Sequence, residues 1–126
     1  MHSQDAVLTS LLESTVSRCQ ELLFNDDEFY PVCFFYKDGE NSSIEIDDIE
    51  DPELYWDALC DIIEEQKFES YVIGKDVYIT SGDDEKTGIE LIIVIEGVEY
   101  EIMYMEYWLD DTNNYQYGEL KEMEQL

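Results

Sequence analysis

The segment GIELIIVIEGVEYEIMYMEYW, residues 88–108, is the most apolar stretch of the chain and decides the predicted fold. Glu96-Gly97 lies near its middle and suits the two-residue loop of a β-hairpin. With this loop the two strands present one apolar face, formed by Ile89, Leu91, Ile93, Ile95, Val98, Tyr100, Ile102 and Tyr104. The opposite face mixes acidic and apolar side chains, namely Glu90, Ile92, Val94, Glu99, Glu101 and Met103. We expect this second face to be at least partly solvated.

A second hairpin is predicted upstream. Asp38-Gly39 favours a type I′ turn, because both loop positions of that turn need positive φ. The turn pairs Cys33 with Ile44 and places four apolar side chains on one face of the hairpin: Cys33, Phe35, Ile44 and Ile46. We expect these four side chains to lie in the core. DVYIT, residues 76–80, predicts one further short strand.

Two helices complete the predicted elements. Apolar residues recur at three- and four-residue steps over about residues 4–24, which predicts an amphipathic helix. Asp51-Pro52 is a typical helix start, and it opens the second helix. Gly74 is the natural end of that helix, although the β-rich SYVI at residues 70–73 could instead form a strand.

The order of these elements is helix, hairpin, helix and three strands. It predicts an α+β fold in which an antiparallel sheet of about five strands has both helices packed on one face. We expect residues 1–109 to form a single domain. Residues 110–126 lack a clear apolar period and are predicted to be an acidic, Tyr-containing tail that is ordered only in part. We expect this tail to be a loop followed by a frayed helical end.

The chain is strongly acidic, with 33 Asp and Glu against 6 Lys and Arg and a net charge of −27. Its 44% hydrophobic and 13% aromatic content distinguishes it from disordered acidic chains, which have few aromatic residues. A surface of this charge repels nucleic acid and anionic membranes, so we expect no direct contact with nucleic acid or with a membrane. The same charge attracts basic proteins. Three cysteines without a secretion signal favour reduced thiols and a cytoplasmic location.

The sequence lacks the residue patterns of common enzymes and metal sites. The only histidine is His2, at a terminus that we expect to fray, so a Ser-His-Asp or Cys-His arrangement is not expected. There is no glycine-rich phosphate-binding motif. The best calcium-loop match begins at Asp83 and fails at its twelfth position, Val94. The three cysteines lack the spacing of a zinc site. We therefore expect no enzyme activity, no cofactor and no metal site.

The second predicted helix carries like charges at helical spacing: Glu53, Asp57, Asp61, Glu64 and Glu65. Neighbouring carboxylates in such positions destabilise a helix by a few tenths of a kcal/mol per pair. One interpretation is a face that only keeps the protein soluble. The other is a carboxylate surface that satisfies the Lys and Arg groups of a basic protein, as the phosphates of nucleic acid do.

The second interpretation predicts a non-enzymatic protein that inhibits or sequesters a basic protein partner, as an immunity protein does with a toxin or nuclease. The alternatives are a DNA mimic that antagonises a DNA-binding protein, and a structural subunit that self-associates through the face around Ile92, Val94 and Met103. The protein should be a monomer or a homodimer. Because interface hot spots favour Trp and Tyr, we predict a contact set of acids and aromatics: Glu53, Trp56, Asp57, Asp61, Glu64, Tyr107, Trp108, Asp110 and Asp111.

Overall fold

The computed structural model describes residues 4–26, 29–44, 46, 49–81, 84–95 and 98–122 and confirms the α+β class. In this part of the chain there are two helices and six strands: α1 (Gln4–Asp26), β1 (Val32–Lys37), β2 (Glu40–Ile44), α2 (Pro52–Gln66), β3 (Ser70–Ser81), β4 (Asp84–Ile95), β5 (Val98–Leu109) and β6 (Tyr115–Glu122). The strands form one antiparallel sheet in the order β2-β1-β3-β4-β5-β6. The sheet thus has one strand more than predicted.

The first hairpin has the predicted turn and register. Asp38 and Gly39 adopt φ angles of 55° and 84°, the positive values that a type I′ loop needs. Cys33 lies opposite Ile44. Cys33, Ile44 and Ile46 belong to one apolar cluster, and the Phe35 ring stacks on Phe68 at 3.9 Å between centroids. The four side chains share a face as predicted, but only Cys33 is fully buried, whereas Phe35, Ile44 and Ile46 are partly exposed.

The second helix begins as predicted but ends earlier. The Asp51 side chain accepts hydrogen bonds from the backbone N–H groups of Glu53 (2.9 Å) and Leu54 (3.5 Å), which caps the helix. Lys67 ends it in the left-handed conformation, with φ at 54°. Gly74 is therefore not the helix end. SYVI belongs to β3, because the β-branched Val72 and Ile73 bury their side chains on opposite faces of the sheet.

A β-bulge changes the predicted faces of the central hairpin. Ile95 lies opposite Val98, as the predicted loop requires, whereas Glu96 and Gly97 fall outside the described residues. Val94 then lies opposite Glu99 and Ile93 opposite Glu101, so β5 contains one extra residue, Tyr100. From that point every side chain of β5 points to the other face. The side chains of residues 98–101 lie outside the described set.

The bulge corrects the predicted apolar face. Met103 and Met105, and not Ile102 and Tyr104, share a face with Ile89 and Leu91 and pack against the same core cluster. The predicted self-association surface is also divided. Ile92 points to one side of the sheet and Met103 to the other, so these side chains do not form one exposed patch.

The two helices lie on opposite faces of the sheet, not on one face as predicted. Buried α1 residues pack in the cluster that contains Val72, whereas Leu59 of α2 packs in the cluster that contains Ile73. Val72 and Ile73 are consecutive in β3, so their side chains point to opposite faces. The physical reason is that the central strands are apolar at consecutive positions, which leaves both of their faces to be covered.

The C-terminal segment contributes the sixth strand. β6 pairs with β5 along the edge of the sheet, and Tyr115, Tyr117 and Leu120 pack against the core on the α1 side. A loop and a frayed helical end were predicted here because these apolar residues do not alternate regularly. The register shift between Met105 and Tyr107 accounts for the irregular spacing. Residues 123–126 lie outside the described part of the chain.

The fold predicts different reactivity for the three thiols. Cys19 and Cys33 are fully buried, and burial raises the pKa of each thiol from 9.0 to about 12. Partial burial, and then the Asp57 and Asp61 carboxylates, also raise the pKa of the Cys60 thiol, but this side chain is partly exposed and a reagent can reach it. Because the thiolate is the reactive species, we expect a disulfide reagent at pH 8 to modify Cys60 in the native protein and the other two thiols only after unfolding. Cys60→Ser should abolish the native reaction. Fast modification of two or three thiols in the folded state would contradict this assignment.

Candidate functional site

A groove of about 1150 Å³ runs along β3 where β1 ends. Val32, the first residue of β1, lies opposite Gly74, and β3 continues past that point to Ser81. Pro31 precedes β1 and has no N–H for another sheet hydrogen bond. The groove is therefore bounded by α1, the chain entering β1, the end of β2, the start of α2 and the extended part of β3.

Aromatic side chains form the α2 side of this groove. The rings of Tyr30 and Tyr55 lie 4.8 Å apart, and the Tyr30 hydroxyl donates a hydrogen bond to the Glu50 carbonyl. The ammonium group of Lys75 lies 4.2 Å from the centre of the Trp56 ring, within the range of a cation–π interaction. The groove thus presents an aromatic surface that already holds one cation.

The carboxylates of α2 lie beside the groove. Glu53 and Asp57 line it, and five acidic side chains of the helix are exposed: Glu53, Asp57, Asp61, Glu64 and Glu65. Among the described residues the ion pairs are Arg18 with Glu21 (2.9 Å) and Lys86 with Glu106 (3.7 Å). Neither pair involves α2. The predicted carboxylate row is therefore present on the surface without an ion-pair partner in the part of the chain that is described.

Tyr107 was predicted to be an interface anchor, but it is a core residue, only 6% exposed. Its hydroxyl donates a hydrogen bond of 2.5 Å to a carboxylate oxygen of Asp76. Burial, and then this bond, raise the pKa of Tyr107 far above the usual range. Tyr107 was chosen for its residue type and its nearness to Asp110 and Asp111, neither of which reports burial. The register shift in β5 turns its side chain towards α1 and into the core.

Trp108, Asp110 and Asp111 lie away from α2, at the β5–β6 turn. Trp108 is 46% exposed and Asp111 is also exposed. The Asp110 carboxylate accepts hydrogen bonds from the Thr112 hydroxyl (2.7 Å), the Thr112 and Asn114 N–H groups (2.8 and 3.0 Å) and Gln116 (2.9 Å). These bonds, the Thr112 hydroxyl first, lower the pKa of Asp110 to about 2. Asp110 therefore organises the turn.

The structure brings together only part of the predicted contact set. Glu53, Trp56 and Asp57 meet at the groove, and Asp61 and Glu64 continue the same row along α2. β4 lies between this group and the β5–β6 turn, because α2 packs over β1 and β3. Sequence reasoning missed Tyr30, Lys75 and Tyr78, which line the groove. No local pattern places them near Trp56, because the contact depends on how β3 pairs with β1.

Comparisons with protein-family models, curated proteins and solved structures find no match. Within the described ranges, neither helix has the length and apolar content needed to cross a bilayer. The same ranges contain no group of three or more His, Cys, Asp and Glu side chains that could hold a metal ion. The groove and the adjoining face of α2 are the candidate site, which combines aromatic rings and exposed carboxylates with two cationic side chains, Arg18 and Lys75.

Proposed function

We propose that the protein is a non-enzymatic binder that inhibits or sequesters a basic protein partner through α2 and the adjoining groove. The observation that carries this proposal is the row of exposed α2 carboxylates without an ion-pair partner among the described residues. In the free protein such a row is unfavourable by a few tenths of a kcal/mol per neighbouring pair. Lys and Arg side chains of a partner would convert this repulsion into attraction.

The aromatic groove supports an inhibitor over a DNA mimic. Hot spots of protein interfaces commonly centre on a Trp or Tyr that is surrounded by polar groups. Trp56 lies beside Asp57 and close to the Tyr30–Tyr55 ring pair. A DNA mimic, the second candidate, uses the same carboxylate row and depends little on any single aromatic side chain. Trp56→Ala would therefore weaken an inhibitor complex strongly and a DNA-mimic complex only slightly.

A cytoplasmic location is part of the same proposal. All three cysteines are free, and burial of Cys19 and Cys33 raises the pKa of both thiols. Free thiols are typical of proteins that work in a reducing compartment.

The first test is capture of the partner from a cell extract at low salt, followed by elution with rising salt. Because exposed charges are screened within about 8 Å at 0.15 M salt, the affinity should fall steeply between low and physiological ionic strength. The captured protein should be basic. A partner that binds equally well at all salt concentrations would contradict the proposal.

Charge reversal on α2 should separate stability from affinity. In a variant with Asp57→Lys, Asp61→Lys and Glu64→Lys, relief of repulsion should stabilise the free protein, by a few tenths of a kcal/mol per pair. The affinity for the captured partner should fall at least tenfold, because attractive contacts become repulsive. Urea denaturation and titration calorimetry measure the two effects.

The matched control reverses three exposed carboxylates outside α2, with Glu13→Lys, Glu40→Lys and Glu119→Lys. It changes the net charge by the same amount and should weaken binding much less. Equal losses in both variants would mean that only the net charge matters. An unchanged affinity in the α2 variant would mean that the row is merely a solvated face.

A further inference from the structure

We propose that α2 is a lid that opens from the sheet as a local unit while α1 and the sheet stay folded. The opening uncovers Cys33 and the apolar cluster around it. It needs no partner, and only its effect on partner binding rests on the proposed function. Three features of the structure carry it: the shallow burial of α2, the cavities beside both of its ends, and a separate core on the other face of the sheet.

α2 is held to the sheet by little buried surface. The structure describes all of its side chains, and Leu59, 1% exposed, is the only one that is buried. Leu59 packs in the cluster that contains Cys33 and Ile73, and Trp56 and Ile63 are partly buried against the same cluster. Most of the stability of a helix in a protein comes from burial of its apolar face. α2 should therefore detach more readily than an element with several buried side chains.

Cavities lie beside both ends of this helix. Near its start, Trp56 and Asp57 line the groove of about 1150 Å³. Towards its end, Ile63 and Glu64 line a second cavity of about 350 Å³. Side chains that face such a space lack packing partners on that side, so they contribute less to the attachment. Leu59, between the two cavities, is the central contact.

A detached α2 would not remain a helix. Isolated helices shorter than about 12–15 residues are marginal in water, and α2 has 15 residues. Its exposed carboxylates stand at helical spacing, and like charges in such positions destabilise an isolated helix further. Opening is therefore local unfolding, and the carboxylate row is assembled only while α2 is closed.

The rest of the fold keeps its own core when α2 opens. α1 packs on the opposite face of the sheet, in a cluster that also contains buried side chains of β3, β4 and β5. The sheet is held by pairing between neighbouring strands, from β2 at one edge to β6 at the other. Four side chains of α1 are fully buried in its contact with the sheet: Leu11, Thr15, Cys19 and Leu23.

Two buried thiols report the opening of the two helices separately. Cys33 lies beneath α2 and Cys19 lies on α1; both are 0% exposed, and burial raises the pKa of each to about 12, so the closed protein protects both. In a Cys60→Ser background at pH 8, we expect a disulfide reagent to label Cys33 about a hundredfold faster than Cys19. Peptide mass spectrometry measures both rates, each divided by the rate in the unfolded chain. Equal rates would mean that a single cooperative unfolding exposes both thiols, and the lid would be wrong.

Leu11→Ala distinguishes local opening from global unfolding. It removes packing that the α2-open form still has, so it should speed the labelling of Cys19 about a hundredfold and that of Cys33 only about twofold. Leu59→Ala is the matched substitution beneath α2. Its packing is lost both when α2 opens and when the whole chain unfolds, so both rates should rise together. Equal acceleration of the two thiols by Leu11→Ala would contradict the lid.

Urea provides the same distinction without a substitution in the core. Opening of α2 exposes less surface than global unfolding, so below the unfolding transition the labelling rate of Cys33 should rise less steeply with urea than that of Cys19. Identical urea dependence of the two rates would show that no smaller opening occurs.

A basic probe tests the effect on binding. Because the carboxylate row is assembled only in closed α2, deca-lysine at twice its Kd and low salt should slow the labelling of Cys33 about threefold. The slowing should disappear in the variant with Asp57→Lys, Asp61→Lys and Glu64→Lys. If Cys33 is labelled faster than Cys19 but deca-lysine has no effect, the lid stands and binding of basic groups to α2 is wrong. If the two thiols react equally and deca-lysine slows both, the lid is wrong and the proposed function stands.

Discussion

Gly88→Ala should destabilise the folded protein by about 3 kcal/mol, the upper range of the cost of forcing an extra methyl group into a packed site. A Cβ atom at Gly88 would overlap the Tyr104 ring. That ring is 2% exposed, and its hydroxyl donates a hydrogen bond of 3.1 Å to the Thr87 carbonyl, so it cannot swing away freely. Urea denaturation, followed by circular dichroism, measures the loss.

Gly118→Ala is the matched control for this prediction. A Cβ atom there would have its nearest neighbours at 3.6 Å, an ordinary contact, so stability should stay within about 0.5 kcal/mol of the parent. In a Tyr104→Ala background, Gly88→Ala should cost far less than in the parent, because the ring is absent. Additive effects of the two substitutions would mean that the ring does not rest on Gly88.

Stability should also fall steeply above pH 9. Burial raises the pKa of Cys19 and Cys33 from 9.0 to about 12 and that of Tyr107 above its usual range. Well below pH 9 these thiols are protonated in both the folded and the unfolded chain. At higher pH the unfolded chain releases protons that the folded chain keeps. The folded state then binds more protons, and linkage requires stability to decrease as the pH rises towards 12.

The slope is at most about 1.4 kcal/mol per pH unit for each such group. Urea denaturation at pH 8, 9.5 and 11 measures it. Cys19→Ala removes one titrating group and should lower the slope by up to about 1.4 kcal/mol per pH unit. Cys60→Ala removes a partly exposed thiol and should lower the slope less. A free energy of unfolding that is constant from pH 8 to 11 would show that burial does not raise the pKa of these thiols.

Local patterns in the sequence were sufficient for most of the elements. The apolar period predicts a helix over about residues 4–24, close to the observed Gln4–Asp26, while Asp38-Gly39 sets the first hairpin and Asp51-Pro52 starts α2. Each of these depends on interactions between residues close in the chain, such as a cap or a turn. The acidic row on α2 could also be read directly, because helical spacing alone places those carboxylates on the exposed side of the helix.

Tertiary structure alone decided which faces meet. One extra residue in β5, Tyr100, reverses the orientation of all the side chains after it, and so buries Tyr107 and leaves Tyr104 over Gly88. Such a register shift depends on packing between strands, and the alternation of apolar residues along either strand does not indicate it. The opposite placement of α1 and α2 and the contact of Lys75 with Trp56 also join residues far apart in the chain. Apolar side chains on both faces of the central strands determine the first. The pairing of β1 with β3 determines the second.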